Sequence, residues 1–487
     1  MHSSFIKGFL KSSTLTAFGT VLMLALHFLT LKLLAKDMPV AQYGLFTLLM
    51  VISSGFQVFS SLGLSLTLVK SLSGGVEQRK KHPSGIILWL RIIQLCFLST
   101  LVLLVGQPIL SYFFDASVGA LVYFLPPLFI VACVRDTLFA ILQGKKRFVS
   151  HAVVRVVSAA VRFSFVFLLV HYEMLGIREL LWVEIFTAVA TILMLLPRAG
   201  VVSLMRTGSI RVEAVKDILR FSSPLYADDV CRYFYDRVTV LVLGGLMSSA
   251  SVAIYGIASK IPEACGKLLT SFLVVYFPSI SELMETGRRE EGLQLMNLAL
   301  VFMSTVLSLV TLMTFFLQDE IVAILFSRQY VEAAPILPML MLGFILSCMV
   351  NLMTATAVAA GHSSIPVRVS LVSSIVSVVG CVVFIPYWGV MGAVYAQVGS
   401  SLVANGFCWF YLKREALNVD ILSVMIPVFL ACTLVSVYKM RGWDHPLTSL
   451  CTIGVYLVLC WVLLPVVRQG CEQCLALVTK IVLRDRE

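Results

Sequence analysis

The hydrophobic positions of this chain recur as long, nearly uninterrupted runs that continue from one end of the sequence to the other. Each run approaches or exceeds the ~20 residues that an α-helix needs to cross the hydrocarbon core of a bilayer. The pattern therefore predicts an all-α integral membrane protein with about fourteen membrane-spanning helices. Their predicted bounds are 15–34, 44–69, 86–105, 117–139, 149–170, 180–197, 224–245, 252–276, 293–317, 336–359, 365–387, 389–412, 421–438 and 447–467.

Composition and charge agree with a membrane protein. Hydrophobic residues make up 59% of the 487 residues and charged residues 13%, against about 25% charged in an ordinary soluble domain. The formal charge of +11 would suit a nucleic-acid partner, but most Lys and Arg fall in the loops on the side of the N-terminus. This bias follows the positive-inside rule, so we expect both termini in the cytoplasm and no nucleic-acid partner.

Several landmarks of the first half return in the second half. Tyr43 and Gly44 have counterparts in Tyr255 and Gly256, and the glycine that closes the fourth predicted span has one that closes the tenth. An even number of spans separates the copies, so the repeats share one orientation. We therefore predict two pseudo-symmetric six-helix lobes around a central cavity, followed by two extra helices. The predicted parts are an N-terminal lobe (1–197), a cytoplasmic linker (198–221), a C-terminal lobe (222–412), and two helices with a cytoplasmic tail (413–487).

Ionisable side chains within the predicted spans provide candidates for a functional site. Each costs roughly 2.5–3.5 kcal/mol at the bilayer centre, so such groups normally face a protein interior or a water-filled cavity. Arg162 lies near the middle of its span and shares a helical face with Arg155, and Glu184 is its candidate counter-charge. The stretch from 221 to 267 is the most charged. It contains Asp228, Asp229, Arg232, Asp236, Arg237, Lys260, Glu263 and Lys267.

Some of these charges have a purely structural interpretation. Asp228, Arg232 and Asp236 are spaced four residues apart and could form ion pairs within one helix. Arg91 is close enough to a membrane surface to snorkel, so we predict an anchor there. Arg135 and Asp136 fit a local ion pair as well as a functional role. His27 fits either a packed residue or a proton carrier. Cys471 and Cys474 form a CxxC without a second pair, so no metal site is predicted.

Longer motifs resemble the polysaccharide flippase branch of the multidrug, oligosaccharidyl-lipid and polysaccharide exporter superfamily. The resemblance covers nearly the whole chain, although each motif is loose by itself. The Tyr-Gly of the first motif and the PYWGVMGA turn are the most characteristic. The motifs are KDMPVAQYGLF, ILQGKKRF, YGIASKIPE, YFPSISELMETG, ILFSRQYVEAAPILPML and FIPYWGVMGAVYAQVGSSL.

The resemblance implies a transporter in the bacterial cytoplasmic membrane and no covalent chemistry. Such proteins move a polyprenyl-pyrophosphate-linked oligosaccharide from the inner to the outer leaflet by alternating access, for O-antigen, capsule or exopolysaccharide assembly. A polysaccharide polymerase and a chain-length regulator are candidate partners. No resident cofactor is implied, while proton or sodium coupling is open. Two alternatives are a lipid II flippase and a cation-coupled multidrug exporter.

The resemblance also implies roles for the charged residues, by type and location only. The expected contacts of the pyrophosphate and sugar are Arg155, Arg162, Arg232, Arg237, Lys260 and Lys267. The expected coupling or counter-charge residues are His27, Asp228, Asp236 and Glu263.

Overall fold

The part of the chain that the computed structural model describes is almost entirely helical. It comprises residues 2–73, 84–114, 119, 121–145, 147–205, 212–362, 364–442 and 446–464, and no strand occurs in these ranges. The all-α prediction is therefore confirmed. The CxxC at Cys471 and Cys474 lies outside the described residues.

The helices differ widely in length, from single turns to α15 with 51 residues. Up to residue 246 they are α1 (His2–Asp37), α2 (Val40–Phe59), α3 (Leu64–Ser73), α4 (Ser84–Phe113), α5 (Leu125–Gly144), α6 (Phe148–His171), α7 (Ile177–Ala199), α8 (Val201–Met205) and α9 (Val212–Leu246). Beyond it they are α10 (Ser249–Ala258), α11 (Lys260–Glu285), α12 (Arg289–Phe316), α13 (Gln318–Leu325), α14 (Leu337–Ala359), α15 (Ser364–Arg414), α16 (Ile421–Arg441) and α17 (Pro446–Leu463). Short 3₁₀ segments cover Val122–Phe124 and Arg328–Ala333.

Ten helices of the described part are long and apolar enough to cross a membrane. The predicted count of fourteen is not confirmed. The range of α15 contains two predicted spans, 365–387 and 389–412, as two helical segments that meet at a kink at Gly389, where φ is 56° and the backbone is not helical. Helices α9 and α11 are absent from the ten because of their polar residues, and the described part of α17 is too short.

Two predicted spans are not continuous. The span 44–69 divides into α2 and α3 at a turn where Leu62 and Gly63 have positive φ. The span 252–276 divides into α10 and α11 at Ser259. Both spans were predicted as single helices because the apolar composition continues through each break.

The chain forms two compact units. The first contains Met1–Ile257, Ala323–Val331 and Ser377–Ala393; the second contains Ala258–Val322, Glu332–Val376 and Val394–Glu487. The lobe boundaries predicted from the repeat stay a prediction.

Helix α2 of the first unit packs against α5, α7 and α9. Its Gly44 admits the start of α10 at very short range: a Cβ on Gly44 would lie 1.7 Å from the carbonyl oxygen of Ser249. Only glycine allows that approach, which explains the Tyr-Gly motif physically. The neighbouring Tyr43 ring lies edge-on to buried Tyr330, with 6.0 Å between ring centroids.

The second unit has a continuous apolar core. Helix α12 packs on α14 and α16, and α11 packs on α14. Two of its buried tyrosine hydroxyl groups are satisfied: the Tyr276 hydroxyl lies 2.6 Å from that of Thr356, and Tyr456 donates to the carbonyl of Thr305. Such bonds remove the cost of a buried polar group and fix which faces of the helices meet.

Candidate functional site

A cavity of about 340 Å³ opens among α2, α3, α4, α5 and α9 of the first unit. Its wall combines charged, hydroxyl and amide groups, although all five helices are otherwise rich in apolar residues. The lining residues are Ser54, Gln57, Val58, Ser61, Ser65, Arg91, Cys133, Asp136, Asp229, Arg232, Tyr233, Asp236 and Arg237.

The turn between α2 and α3 brings Ser61 and Ser65 to the cavity wall. Gly63 forms this turn with φ of +66°, and a Cβ on it would lie 2.6 Å from the carbonyl oxygen of Ser222 on α9. A side chain at this position would therefore meet both backbone strain and a backbone clash. The break that interrupts the predicted span 44–69 thus lets two serines and α9 meet at one place.

Tyr233 fixes α9 against α2. The Tyr233 side chain is buried, and its hydroxyl donates to the carbonyl of Val51 at 3.0 Å. The ring fits over Gly55, where an added Cβ would lie 2.6 Å from the Tyr233 hydroxyl oxygen. Because Tyr233 sits in the middle of the charged stretch of α9, this contact sets which of its charges reach the cavity.

Arg91 is the most deeply buried charge of the cavity wall, with 5% of the residue exposed. Its Nη1 donates to Ser65 Oγ at 2.7 Å, whereas its buried Nε has no hydrogen-bond partner in the structure. The predicted membrane-surface anchor is therefore wrong. The side chain turns inward because Ser65, on the neighbouring α3, offers a hydroxyl acceptor there.

The remaining charges of the wall alternate in sign. Asp136 accepts from Nε of its neighbour Arg135 at 3.1 Å, which supports the local ion pair. Arg232 and Asp228 form the predicted pair within α9, at 3.5 Å. Asp228 Oδ1 is buried without a hydrogen-bond partner. The three arginines and three aspartates that line the cavity have formal charges that cancel.

Arg162 lies outside this cavity wall and has a close partner of its own. Its guanidinium lies 2.6 Å from Glu184 Oε1, so the predicted counter-charge is confirmed. His27 of α1 also approaches, with 3.5 Å between its Nδ1 and Arg162 Nη1. Helices α1, α6 and α7 thus meet at a small polar cluster that we name the Arg162 cluster.

The other predicted site residues lie on α6 and α11. Arg155 is exposed on α6, within electrostatic range of Arg135 and Asp136. In the second unit, Lys260 donates to Glu263 Oε2 at 2.9 Å. Lys267 is on the same helix, two turns further along. Arg155 and the charges of α11 are therefore not among the residues that line the cavity of the first unit.

Sequence reasoning assigned no binding role to Arg91, Asp136 or Asp229, all of which line the cavity. The available signal for Arg91 was an arginine within an otherwise apolar helix, but nearness to a membrane surface explained it equally well. Its partner Ser65 is 26 residues away on another helix, which no local pattern reveals. In the described part of the chain, no three His, Cys, Asp or Glu side chains form a group that could hold a metal ion.

A family model for polysaccharide biosynthesis proteins matches residues 33–335. The chain belongs to this family, and the resemblance inferred from the motifs is confirmed. Among proteins with curated descriptions, none matches the sequence significantly.

Solved structures with the same fold are transporters. The lipid II flippase MurJ in an inward closed conformation is 15% identical over 93% of this chain and 98% of its own, with a TM-score of 0.69. An inward-facing multidrug resistance MATE family transporter of the MOP superfamily is 16% identical over 83% and 98%, with a TM-score of 0.66. A MOP superfamily transporter from Pyrococcus furiosus, described as having a binding pocket of reversed polarity, is 14% identical over 84% and 95%, with a TM-score of 0.55. At these identities the likeness shows a shared fold.

Proposed function

We propose that this protein is a flippase that moves a polyprenyl-pyrophosphate-linked oligosaccharide from the inner to the outer leaflet for surface polysaccharide assembly. The observation that carries the proposal is the charged cavity, with a buried arginine in its wall, inside a membrane protein of a polysaccharide biosynthesis family. The site would be exposed to each side of the membrane in turn. The membrane would be the bacterial cytoplasmic membrane, with both termini inside.

The pyrophosphate is the part of this substrate that crosses an apolar core least readily. Guanidinium groups replace its hydration with charge-assisted hydrogen bonds, often two from one arginine. Arg91, Arg232 and Arg237 offer such donors around one volume. Arg91 is also preoriented, since Ser65 holds one of its nitrogens while Nε has no partner. The hydroxyl and amide groups of the wall suit sugar hydroxyls.

The proposal retains Arg232 and Arg237 from the sequence prediction and adds Arg91. Arg155, Lys260 and Lys267 remain proposed contacts for other parts of a large substrate. We assign Arg162 to holding α6 against α7, because its guanidinium is already directed at Glu184. A polymerase and a chain-length regulator would receive the exported repeat unit.

The test is lipid analysis of cells that lack this gene and carry a plasmid copy of it. We expect an undelivered polyprenyl-pyrophosphate saccharide to accumulate without the gene and to return to normal with the wild-type copy. Arg91→Ala should leave the intermediate accumulated although the protein reaches the membrane. Arg178→Ala, which changes an exposed arginine of α7 outside the cavity wall, is the matched control and should restore normal levels.

Two results would contradict the proposal. Normal lipid intermediates without the gene, with raised retention of cationic dyes, would indicate a drug exporter. Full complementation by Arg91→Ala at wild-type expression would show that transport does not depend on the buried arginine of the cavity.

A further inference from the structure

The cavity of the first unit contains as many aspartates as arginines, which is an unusual arrangement for a site that receives an anion. We propose that its aspartates take up protons when the pyrophosphate binds, so that substrate and protons occupy the cavity together, with Asp229 as the first proton acceptor. The inference rests on the proposed function, because it concerns the same site.

The elements that border the cavity contribute different charged and polar groups. Helices α2 and α3 and the turn between them contribute only uncharged groups, chiefly serines and Gln57. Helix α4 contributes Arg91; α5 contributes Asp136 and the Cys133 thiol, with Arg135 beside them; and α6 holds Arg155 within electrostatic range. From α9, Asp229, Arg232, Tyr233, Asp236 and Arg237 line the cavity, and Asp228 pairs with Arg232 beside it.

A pyrophosphate that is esterified at both ends carries two negative charges, because each phosphate has lost the oxygen whose proton titrates near neutral pH. When it enters a cavity whose formal charges cancel, the cavity becomes negative. Like charges in one poorly solvated volume favour the neutral form of a carboxyl group. Proton uptake by an aspartate offsets one of these two charges without moving any helix.

Asp229 is the best-placed acceptor for two reasons. Its neighbour in the sequence is Asp228, a second carboxylate, and the guanidinium of Arg232 is directed at Asp228, 3.5 Å away. Asp136, by contrast, has Arg135 at 3.1 Å. The geometry favours a proton over a sodium ion, since a proton needs one carboxylate oxygen. A sodium ion would need several oxygen ligands next to the three guanidinium groups.

Proton uptake on binding fixes the direction in which the affinity changes with pH. If binding raises the proton affinity of Asp229, the complex holds more protons than the free protein does. The affinity then increases as the pH falls from the carboxyl pKa in the complex to that in the free protein, by about tenfold per pH unit for each proton taken up, and it levels off below the carboxyl pKa of the free protein.

The experiment is titration calorimetry on the full-length protein in lipid nanodiscs. The probe is a water-soluble citronellyl-pyrophosphoryl-glucose, which is a diester like the proposed substrate. Titrations at one pH in two buffers with different ionisation enthalpies give the number of protons taken up. We expect about one proton for the wild type, since one carboxylate is the first acceptor. Asp229→Asn should bind with less than half of that uptake, and more tightly than the wild type above neutral pH.

The matched control is Asp217→Asn, which changes an exposed aspartate of the same helix outside the cavity wall. It should behave as the wild type. Binding without proton uptake would overturn the inference while leaving the proposed function intact. Binding that requires sodium, again without uptake, would overturn it in favour of a metal ion. Failure of the wild type to bind the probe would instead remove the anion site on which both proposals rest.

Discussion

The cavity of the first unit and the Arg162 cluster both place arginines among apolar helices, yet they are built differently. In the cavity, three arginines and three aspartates surround an open volume of about 340 Å³. In the Arg162 cluster, Nε and Nη2 of one guanidinium both lie 2.6 Å from a single carboxylate oxygen of Glu184. The two side chains of that pair are only 17% and 16% exposed.

The difference separates two uses of an intramembrane charge. A closed pair directs most of its hydrogen-bonding capacity inward and ties two helices together. The wall of the open cavity retains a buried donor without a partner, Arg91 Nε, next to the volume that a ligand would occupy. Both places have arginines among apolar residues, so the partners distinguish a structural charge from a candidate binding charge.

The largest effect on stability is expected at Glu184. Glu184→Gln leaves the guanidinium of Arg162 without its counter-charge, and loss of one partner of a buried pair costs about 3–5 kcal/mol. Thermal unfolding of the detergent-solubilised protein should show this loss. The double variant Arg162→Met/Glu184→Leu should recover most of it, because no charge is left unpaired. Glu179→Gln, the same change on an exposed residue of α7, is the control. An unchanged unfolding temperature for Glu184→Gln would show that the pair is not structural.

The next effect is expected at Arg91 and concerns binding instead of folding. Arg91→Lys retains the positive charge but loses the planar fork that suits phosphate oxygens. A hydrogen bond to a charged group contributes about 1.5–3 kcal/mol, so the affinity for a pyrophosphate diester should fall by roughly 10–100-fold. Calorimetry measures this fall, and an unfolding scan checks that the fold is retained. Equal affinity of the variant and the wild type would show that the phosphate does not bind at Arg91.

A third effect tests the wall that holds the cavity open. Gly55→Ala places a Cβ about where the Tyr233 hydroxyl and ring edge lie, so α9 has to move away from α2. Overpacking of this kind typically costs about 1–3 kcal/mol. We expect a lower unfolding temperature together with weaker substrate export. Gly399→Ala, at a glycine of α15 with nothing within 4 Å of an added Cβ, is the matched control. Wild-type behaviour of Gly55→Ala would mean that this contact does not position the charges of α9.

Sequence alone predicted the fold class and the family, because long apolar runs and motif order are properties of contiguous residues. It also predicted the pairs between Arg162 and Glu184 and between Asp228 and Arg232. The second pair follows from helical spacing. The first followed from requiring a partner for a charge in the middle of a span.

The charges that α9 contributes to the cavity were predicted, whereas the walls formed by α2, α3, α4 and α5 were not, since they depend on contacts between distant residues. Arg91 reaches Ser65 only because α2 and α3 break at Gly63, and that break is hidden in a continuous apolar stretch. Tyr233 fits against α2 only because residue 55 lacks a side chain. Glycines in apolar helices have many uses, so their presence did not reveal which backbone approach each one permits.

The smallest effect concerns Lys145, a cation held by one partner outside the cavity wall. Its Nζ donates to the carbonyl of Ala199 at the end of α7, at 2.6 Å. Burial lowers the pKa of Lys145, and the charge of Arg147 lowers it further. Between the folded pKa and the ordinary lysine value of about 10.4, the unfolded chain holds more protons than the folded one, so stability should rise with pH in that window.

Lys145→Gln should retain a donor for the carbonyl and remove the titration. The increase in unfolding temperature as the pH approaches the ordinary lysine value of about 10.4 should therefore be flatter in this variant than in the wild type. Lys216→Gln, at an exposed lysine of α9, should retain the wild-type slope. Identical slopes for all three proteins would show that the lowered pKa of Lys145 does not contribute to folding. A flatter slope for Lys145→Gln with unchanged binding of the pyrophosphate diester would show that Lys145 stabilises the fold and does not bind the ligand. Its role would then resemble that of Arg162, whereas the charges of the open cavity would bind the ligand.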